Sequence, residues 1–349
     1  MSTRTPAPSQ VAPAAASGGR TARRFLRVRE LGIVGALVLL VGVTAATNPR
    51  FLSPQSIRDL LLSAVILVTL AVGQTILIVT RNIDLSVGSI VGLVAFGTGK
   101  LLLAAPGTPL LLVIAAALAG GAACGAVNGA LVAAARVPAL VVTLGTLYIF
   151  RGVDFIWASG QQINAADMPR AFLRLGTMTV LGSPIPVLAL FALAVVLAAG
   201  WYLGSYRSGR ELYAMGSDPD AARLSGIPVG RRVFAAFVAN GAIAGLAGML
   251  YAARFGTLDA VVGTGLELQV VAAAVVGGVA IFGGSGTVYG AAVGALLLQT
   301  MTTALVVLRI NAFWQQAVVG ALILAAISLD RVLVSRLGRQ LRGRSTRGA

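Results

Sequence analysis

Long apolar runs alternate with short polar segments along nearly the whole chain. A helix needs about 20 apolar residues to cross a bilayer, and ten runs approach or exceed that length. They lie at 31–47, 60–80, 85–104, 109–134, 138–157, 181–203, 233–253, 266–283, 287–307 and 313–329. The pattern therefore predicts an all-α polytopic membrane protein with about ten transmembrane helices.

The second to fifth runs resemble the seventh to tenth. The third begins with IDLSVGSIVGL and the eighth with LELQVVAAAVVGG, while the fourth contains GAVNGALVA and the ninth GAAVGALLL. Corresponding runs are five apart, so they cross the membrane in opposite directions, which is the pattern of an inverted repeat. Chance similarity between glycine- and alanine-rich helices is the alternative.

Basic residues predict which ends of the runs face the cytoplasm. Lysine and arginine number 27 against 11 aspartate and glutamate, a net charge of +16. They gather before the first run, after the last, and between the sixth and seventh, and cytoplasmic loops carry such an excess. Both termini and the segment after the sixth run are therefore expected on the cytoplasmic side of a bacterial inner membrane. No nucleic-acid partner is expected, because the arginines do not line one soluble face.

The chain divides into three parts on this pattern. Residues 1–29 are predicted to form a disordered, basic cytoplasmic N-terminus, and residues 331–349 a basic cytoplasmic tail. Residues 30–330 form the transmembrane domain, which includes a polar cytoplasmic segment at 205–230.

The composition lacks the residues that usually form catalytic or metal-binding sites. The chain has no histidine and a single cysteine, Cys124, which removes the usual zinc ligands, general bases and thiol–histidine pairs. GTGK at 97–100 and GGSGTVYG at 283–290 lack the spacing of phosphate-binding loops. The sequence therefore predicts neither enzyme activity nor a metal or cofactor in this chain.

Polar residues and glycines in or beside the runs are candidates for a transport pathway or gate. Asp84, at the start of the third run, is predicted to cap that helix, and a role in shaping a gate is compatible with a cap. Five glycines between 277 and 286 predict a broken helix, which either lines the pathway or forms a tight turn. The candidate set is Asp84, Ser86, Thr143, Thr146, Glu267, Gly277, Gly278, Gly283 and Gly284.

Other glycines recur every four residues. Small residues at this spacing form a groove in which two helix backbones meet in lipid. The residues predicted to pack helices in this way are Gly121, Gly125, Gly129, Gly286, Gly290 and Gly294.

The polar segment GRELYAMGSDPDAARLSGIPVGRR is longer than a connector between two runs requires. It predicts short helices at Glu211–Met215 and Pro219–Leu224, with Asp218 as the cap of the second and Gly226 as its stop. Its mixture of charged and apolar side chains suits a surface docked on another protein, and a solvated connector is the alternative. The residues assigned to this contact are Glu211, Asp218, Asp220, Ala221, Ala222, Arg223 and Gly226.

Five segments resemble the permease subunits of bacterial ABC importers for monosaccharides, of the ribose-type branched family. They are TRNIDLSVGSIVGL (80–93), VPALVVTLGTLYIFRG (137–152), GRELYAMGSDPDAARLSGI (209–227), VVAAAVVGGVAIFGGSGTVYGAAVGALLL (270–298) and FWQQAVVGALILAAISLD (313–330). The resemblance extends from about 30 to 330. DAARLSG at 220–226 is also similar to the E-A-A-x-x-x-G core of importer coupling loops, with Asp220 in place of the glutamate. The N-terminal RELG…NPRFLSPQSIRDLLL looks like the rhamnose and autoinducer-2 branch.

The resemblance implies a permease that has no ATPase site of its own. A separate cytoplasmic ABC ATPase would bind ATP and magnesium and dock on the 205–230 segment. A periplasmic sugar-binding protein would deliver a monosaccharide, such as the deoxyhexose rhamnose, and a second permease copy, identical or paralogous, would complete an alternating-access pathway. The sequence departs from the family at Gln269, where an acidic residue is common; Glu267 lies two residues away, which leaves that polar role open.

A secondary sugar transporter driven by an ion gradient is the alternative function. Such a transporter needs a carboxylate or histidine near the middle of the membrane. The chain has no histidine, and its acidic residues fall at the ends of runs or in loops. The ABC permease is therefore favoured.

Overall fold

The described part of the chain is a bundle of helices. The structure, a computed structural model, describes residues 18–311 and part of 313–324. The helices are α1 (Gly18–Thr47), α2 (Pro54–Ile78), α3 (Val87–Ala104), α4 (Leu110–Ala133), α5 (Ala139–Ala158), α6 (Arg170–Thr177), α7 (Val187–Ser205), α8 (Arg207–Ser217), α9 (Pro219–Leu224), α10 (Val229–Phe255), α11 (Leu266–Val276) and α12 (Val288–Val307). Only isolated β-bridges occur among the described residues, so the predicted all-helical class is confirmed.

Seven of the described helices are long and apolar enough to cross a membrane. They are α2, α3, α4, α5, α7, α10 and α12, and each matches one predicted run. The first and eighth runs correspond to shorter apolar helices, the 32–47 part of α1 and α11. The tenth run, 313–329, lies mostly outside the described residues. The chain is therefore a multi-pass membrane protein.

Several helix boundaries differ from those that the apolar pattern predicts. Helix α1 begins at Gly18, so residues 18–29 are helical where disorder was predicted, while 1–17 and 331–349 lie outside the described residues. Helix α7 begins only after Pro186, since proline interrupts the helical hydrogen bonds before it. Helix α11 ends at Val276, where the glycine-rich segment starts.

Helices α4 and α10 meet at their glycines. Gly121 lies against Gly241 and Gly245, Gly125 also lies against Gly241, and Gly129 faces the next turn of α10. A Cβ atom on Gly121 would overlap the carbonyl oxygen of Gly241. The close approach brings many backbone atoms into dispersion contact, which matters where apolar lipid gives helices little hydrophobic reason to associate.

Helices α11 and α12 make a similar contact. Gly290 and Gly294 of α12 both lie against Gly277. Gly294 also lies against Ala273. Gly286 was assigned to the same packing stripe, but it lies in the turn before α12 and has a φ of 132°. Its conformation, rather than helix packing, requires glycine at that position.

Gly121→Ala is expected to destabilise the bundle by about 1–3 kcal/mol, because the added methyl group forces α4 away from α10. Gly120→Ala is the matched control, since a Cβ atom there would meet only the Val94 side chain, at 3.6 Å. The measurement is the midpoint of thermal unfolding of both purified variants. Equal midpoints for the two variants would show that the glycine contact does not limit how closely these helices pack.

Candidate functional site

Two non-helical segments enter the bundle from opposite ends. Residues 79–86 follow α2 and turn back beside it, so that Asp84 meets Gln74, one turn before the end of α2. Residues 256–265 follow α10 and run along α3, where Gly263 lies against the first turn of that helix. Irregular backbone is tolerated at such depth where protein covers it. Helix α3 therefore begins inside the bundle, and α11 begins beside it.

Asp84 is the centre of a buried polar cluster of Gln74, Asp84, Ser86, Asn128 and Asn240, here called the Asp84 cluster. Each member is at most 1% exposed. One carboxylate oxygen accepts hydrogen bonds from the Ser86 amide at 2.8 Å and hydroxyl at 2.6 Å. The other accepts from Asn240 at 2.9 Å and from Asn128 at 3.4 Å. With its amide oriented to match, Gln74 bonds the N–H and C=O of Asp84 at 3.1 and 3.3 Å.

This geometry corrects the predicted role of Asp84. Ser86 is the N-cap residue of α3, and Asp84 bonds to Ser86 instead of capping the helix. Thr143 donates to the Ile83 carbonyl oxygen at 3.3 Å, and Thr146 donates to that of Thr143 at 3.4 Å. Four of the residues predicted to line a pathway or gate are therefore buried: Asp84, Ser86, Thr143 and Thr146. They hold the segment before α3 in place between α2, α4, α5 and α10.

The second non-helical segment, 256–265, is held by Arg151 of α5. Its guanidinium group donates to two backbone carbonyl oxygens of the segment, at 2.8 and 2.5 Å. No hydrogen-bond donor reaches the carboxylate of Asp154, which is fully buried. Asp154 lies near the C-terminal end of α5, which agrees with the expectation that acidic residues fall at the ends of runs. Glu267, in the first turn of α11, accepts from the Gly265 N–H at 3.2 Å.

The predicted break in the eighth run is present between α11 and α12. Gly278, Gly283 and Gly284 have φ values of 97°, 82° and 74°, which residues with a side chain rarely adopt. Gly277 ends α11 and lets α12 approach. The segment therefore forms a turn whose backbone requires glycine, and its role in lining a pathway stays a prediction.

The polar segment after α7 forms the two short helices α8 and α9. Asp218 caps α9, because its carboxylate accepts hydrogen bonds from the N–H groups of Asp220 and Ala221, both at 3.0 Å. Gly226 follows α9 with a φ of 78° and stops the helix. Both features agree with the sequence prediction, and they fix α9 as a short, separate helix.

One side of α9 is exposed and mixes charge with an apolar residue. Asp220 and Arg223 form an exposed ion pair of 2.9 Å, and Ala221 is exposed beside them. Leu224 is 91% exposed, whereas Ala222 points inward and is 4% exposed. An apolar side chain this exposed, beside charged residues at the end of a short helix, suits contact with another protein.

Helix α8 is fastened to the membrane bundle on two sides. Glu211 is 8% exposed and accepts hydrogen bonds from Arg207 at 2.9 Å and from Arg232 of α10 at 2.7 Å. The hydrogen bond from Arg232, and then that from Arg207, hold the pKa of Glu211 below its usual value. Tyr213 donates to the Gly286 carbonyl oxygen at 3.0 Å. Glu211, assigned to the docking surface from sequence, therefore joins α8 to α10.

The end of α8 is clamped between the turn after α2 and the turn after α11. Arg81 donates from Nε to the Gly216 carbonyl oxygen at 2.5 Å and from Nη2 to that of Ser217 at 2.6 Å. Gly284 donates its N–H to the Val79 carbonyl oxygen at 2.9 Å, and Gly216 packs against both of these residues. The end of α8 is therefore in direct contact with the segment that carries Asp84.

Three residues of this arrangement were not predicted: Gln74, Arg81 and Gly216. Gln74 carried a signal, because it is strongly polar within the apolar second run. Arg81 resembled an ordinary cytoplasmic charge, and Gly216 an ordinary glycine, since their role depends on a contact between distant parts of the chain. Among the residues that the structure describes, no group of His, Cys, Asp or Glu side chains is arranged to bind a metal ion.

Comparisons with known proteins identify similar chains. The family model described as "Branched-chain amino acid transport system / permease component" matches residues 56–327. The autoinducer 2 import system permease protein LsrC of Enterobacter sp. (strain 638) is 39% identical over 321 residues, 92% of each chain. LsrC of Klebsiella pneumoniae is 40% identical over 320 residues, 92% of this chain and 91% of its own, and LsrC of Escherichia coli (strain K12 / DH10B) is 38% identical over 316 residues, 90% of each. No solved structure matches the chain.

Proposed function

Because the chain belongs to the family of permease components of branched-chain amino acid transport systems, we propose that it forms the membrane pathway of an ABC importer for autoinducer-2. As a permease component, it is a transport subunit and not an enzyme, as the sequence predicted. The observation that carries the substrate proposal is the similarity, over 90–92% of the chain, to permease proteins of autoinducer 2 import systems. A monosaccharide such as rhamnose is the second candidate, on the five segments that resemble sugar permeases.

The proposal includes ten spans arranged as an inverted repeat of spans 2–5 and 7–10. The helix contacts support this symmetry. In the proposed repeat, α2, α3 and α4 correspond to α10, α11 and α12. The contact of α4 with α10 then corresponds to that of α12 with α2, and the contact of α3 with α10 corresponds to that of α11 with α2. These two contacts in one half thus have their counterparts in the other. Both termini, α8 and α9 then face the cytoplasm of a bacterial inner membrane.

The proposed partners divide the work of transport. A cytoplasmic ABC ATPase binds ATP and magnesium and docks on α9, so that no cofactor is needed in this chain. A periplasmic binding protein delivers the substrate to the outer face, and a second permease copy or a paralogue completes the pathway. Arg81, in the turn after α2, is hydrogen-bonded to the end of α8, which leads directly into α9. This contact supports the proposal that the ATPase acts on the permease through α9.

The test of this function is uptake into vesicles that contain the permease together with its ATPase, in the presence of the binding protein. Labelled autoinducer-2, rhamnose and ribose are offered separately. Uptake of autoinducer-2 that requires both ATP and the ATPase is expected. Uptake of a sugar in its place would change the substrate. Uptake that persists without the ATPase and stops when the ion gradient is removed would identify a secondary transporter.

Leu224→Asp is expected to weaken binding of the ATPase at least tenfold, because burying an unpaired charge at a protein contact is costly. The measurement is retention of the ATPase on immobilised permease in detergent. Leu181→Asp is the matched control, since Leu181 is fully exposed in the loop before α7, on the outer side in the proposed topology. Equal retention by the Leu224 variant and the wild type would count against α9 as the docking helix.

A further inference from the structure

We infer that a cavity at the cytoplasmic ends of α4, α5 and α10 binds the phosphate group of an anionic phospholipid of the inner leaflet. The inference rests on the orientation given by the proposed function. The cavity, here called the arginine cavity, has a volume of about 680 Å³. Arg81, Arg136 and Arg223 line it, and its lining includes no acidic residue. Guanidinium groups bind phosphate oxygens through paired, charge-assisted hydrogen bonds.

Two of these arginines occupy positions where glycine would be less strained. Arg81 and Arg136 have φ values of 67° and 55°, in the left-handed region that costs a residue with a side chain about 1 kcal/mol. Both lie in short turns between helices, where glycine or asparagine is the usual solution. For Arg81, the hydrogen bonds to the end of α8 already account for the arginine. For Arg136, an arginine at a strained turn that lines the same cavity indicates that its guanidinium group is needed there.

Two helix starts add to the positive potential of the cavity. Helix α5 begins after Pro138 and α10 after Pro228, and neither has a side chain that caps it. Residues of both first turns line the cavity. The unpaired N–H groups and the helix dipoles favour an anion at this place. They strengthen a site that the three arginines already define.

The walls of the cavity favour a lipid over a free phosphate ion. Ile83, Val132, Val137, Leu140 and Val233 line it with aliphatic side chains. The cavity lies at the ends of membrane-spanning helices, at the level of the lipid headgroups, and basic pockets between helices on the cytoplasmic side are known places for anionic headgroups. A phosphate ion would use the arginines alone, whereas a phospholipid would also cover the apolar wall with its acyl chain.

A lipid in the arginine cavity would join the parts of the protein that must move together. Arg223 belongs to α9, Arg136 to the α4–α5 turn, and Arg81 to the segment that leads to Asp84. Asp220 already forms an ion pair with Arg223, so a phosphate bound among the three arginines would add a second counter-charge and brace α9 against the membrane. The stability of the chain should therefore depend on the charge of the surrounding lipid.

The experiment measures the midpoint of thermal unfolding of the purified full-length chain in neutral detergent. Phosphatidylglycerol, phosphatidylcholine and inorganic phosphate are added separately. We expect phosphatidylglycerol to raise the midpoint by about 3 °C or more, since a ligand that binds only the folded state stabilises it. Phosphatidylcholine and inorganic phosphate should have little effect. Arg136→Gln should lose the response, and Arg223→Gln, which alters an exposed side chain, should reduce it if Arg136→Gln does not fold.

Arg309→Gln is the matched control. Arg309 is also an exposed arginine in a left-handed conformation, with a φ of 57°, but it lies after α12, away from the arginine cavity. It should keep the full response to phosphatidylglycerol. An equal response in all variants would overturn the site, and a response to inorganic phosphate as large as that to phosphatidylglycerol would overturn the lipid assignment. Because this measurement needs neither ATPase nor substrate, its outcome is independent of whether the proposed transport function holds.

Discussion

Asp84→Ala is expected to lower the free energy of unfolding by about 3 kcal/mol or more, because it leaves several buried donors without an acceptor. The Ser86 amide and hydroxyl and the Asn240 side chain all donate to this carboxylate at 2.6–2.9 Å. Water cannot replace the lost acceptor without entering a site where every member is at most 1% exposed. The measurement is the unfolding midpoint of the purified variant, which should fall by several degrees.

Asp84→Asn is the control that keeps the shape of the side chain. Its remaining carbonyl oxygen can accept the two hydrogen bonds from Ser86. Its new amide would face the amide nitrogens of Asn240 and Asn128, which donate to this position at 2.9 and 3.4 Å in the wild type, so both side chains must rotate to present their carbonyl oxygens as acceptors. This variant should unfold near the wild-type midpoint. Similar midpoints for Asp84→Ala and the wild type would mean that the Asp84 cluster does not hold the bundle together.

Arg81→Ala is expected to reduce transport at least tenfold while the ATPase still binds and hydrolyses ATP. The side chain provides two charge-assisted hydrogen bonds to the end of α8, at 2.5 and 2.6 Å, and each such bond contributes about 1.5–3 kcal/mol. Without them, α8 and α9 can follow the ATPase without moving the segment that carries Asp84. The measurement is the ratio of substrate transported to ATP hydrolysed in vesicles.

Arg210→Ala is the matched control for the loss of an arginine near α8. Arg210 donates to the Ser205 carbonyl oxygen at 2.9 Å, a local contact that does not reach the turn after α2. This variant should keep the wild-type ratio, and Arg81→Lys, which retains the charge but not the paired geometry, should be intermediate. A wild-type ratio in Arg81→Ala, or loss of ATPase binding in that variant, would remove the coupling role and leave Arg81 as a stabilising residue.

The features that the sequence predicted well depend on neighbours along the chain. Asp218 caps α9 through N–H groups two and three residues away, and Gly226 stops it through its own backbone conformation. The break between α11 and α12 follows from glycines at 278, 283 and 284, whose positive φ values unwind a helix wherever they occur. Such effects need no knowledge of the tertiary structure.

The predictions that failed concern which polar groups meet. Glu211 was placed on the docking surface, yet Arg232, 21 residues later, holds it inward. Asp84 was expected to cap its own helix, yet it also bonds to Asn240, 156 residues away. In a chain rich in glycine and alanine, the sequence is compatible with many different pairs of packed helices. The sequence therefore does not identify which residue a buried polar side chain will contact.

The sequence by itself determined that this chain crosses a membrane several times, that it belongs to a permease family, and where the short helix α9 lies. These conclusions rest on the length of apolar runs, the bias of arginines and local turn chemistry. Only the tertiary structure decided that Arg81 joins α8 to the segment before α3, across 135 residues, and that Asp84 and Asn128 share one cluster. In a membrane, buried polar groups must find partners inside the protein, and the packing of whole helices determines which partners are within reach.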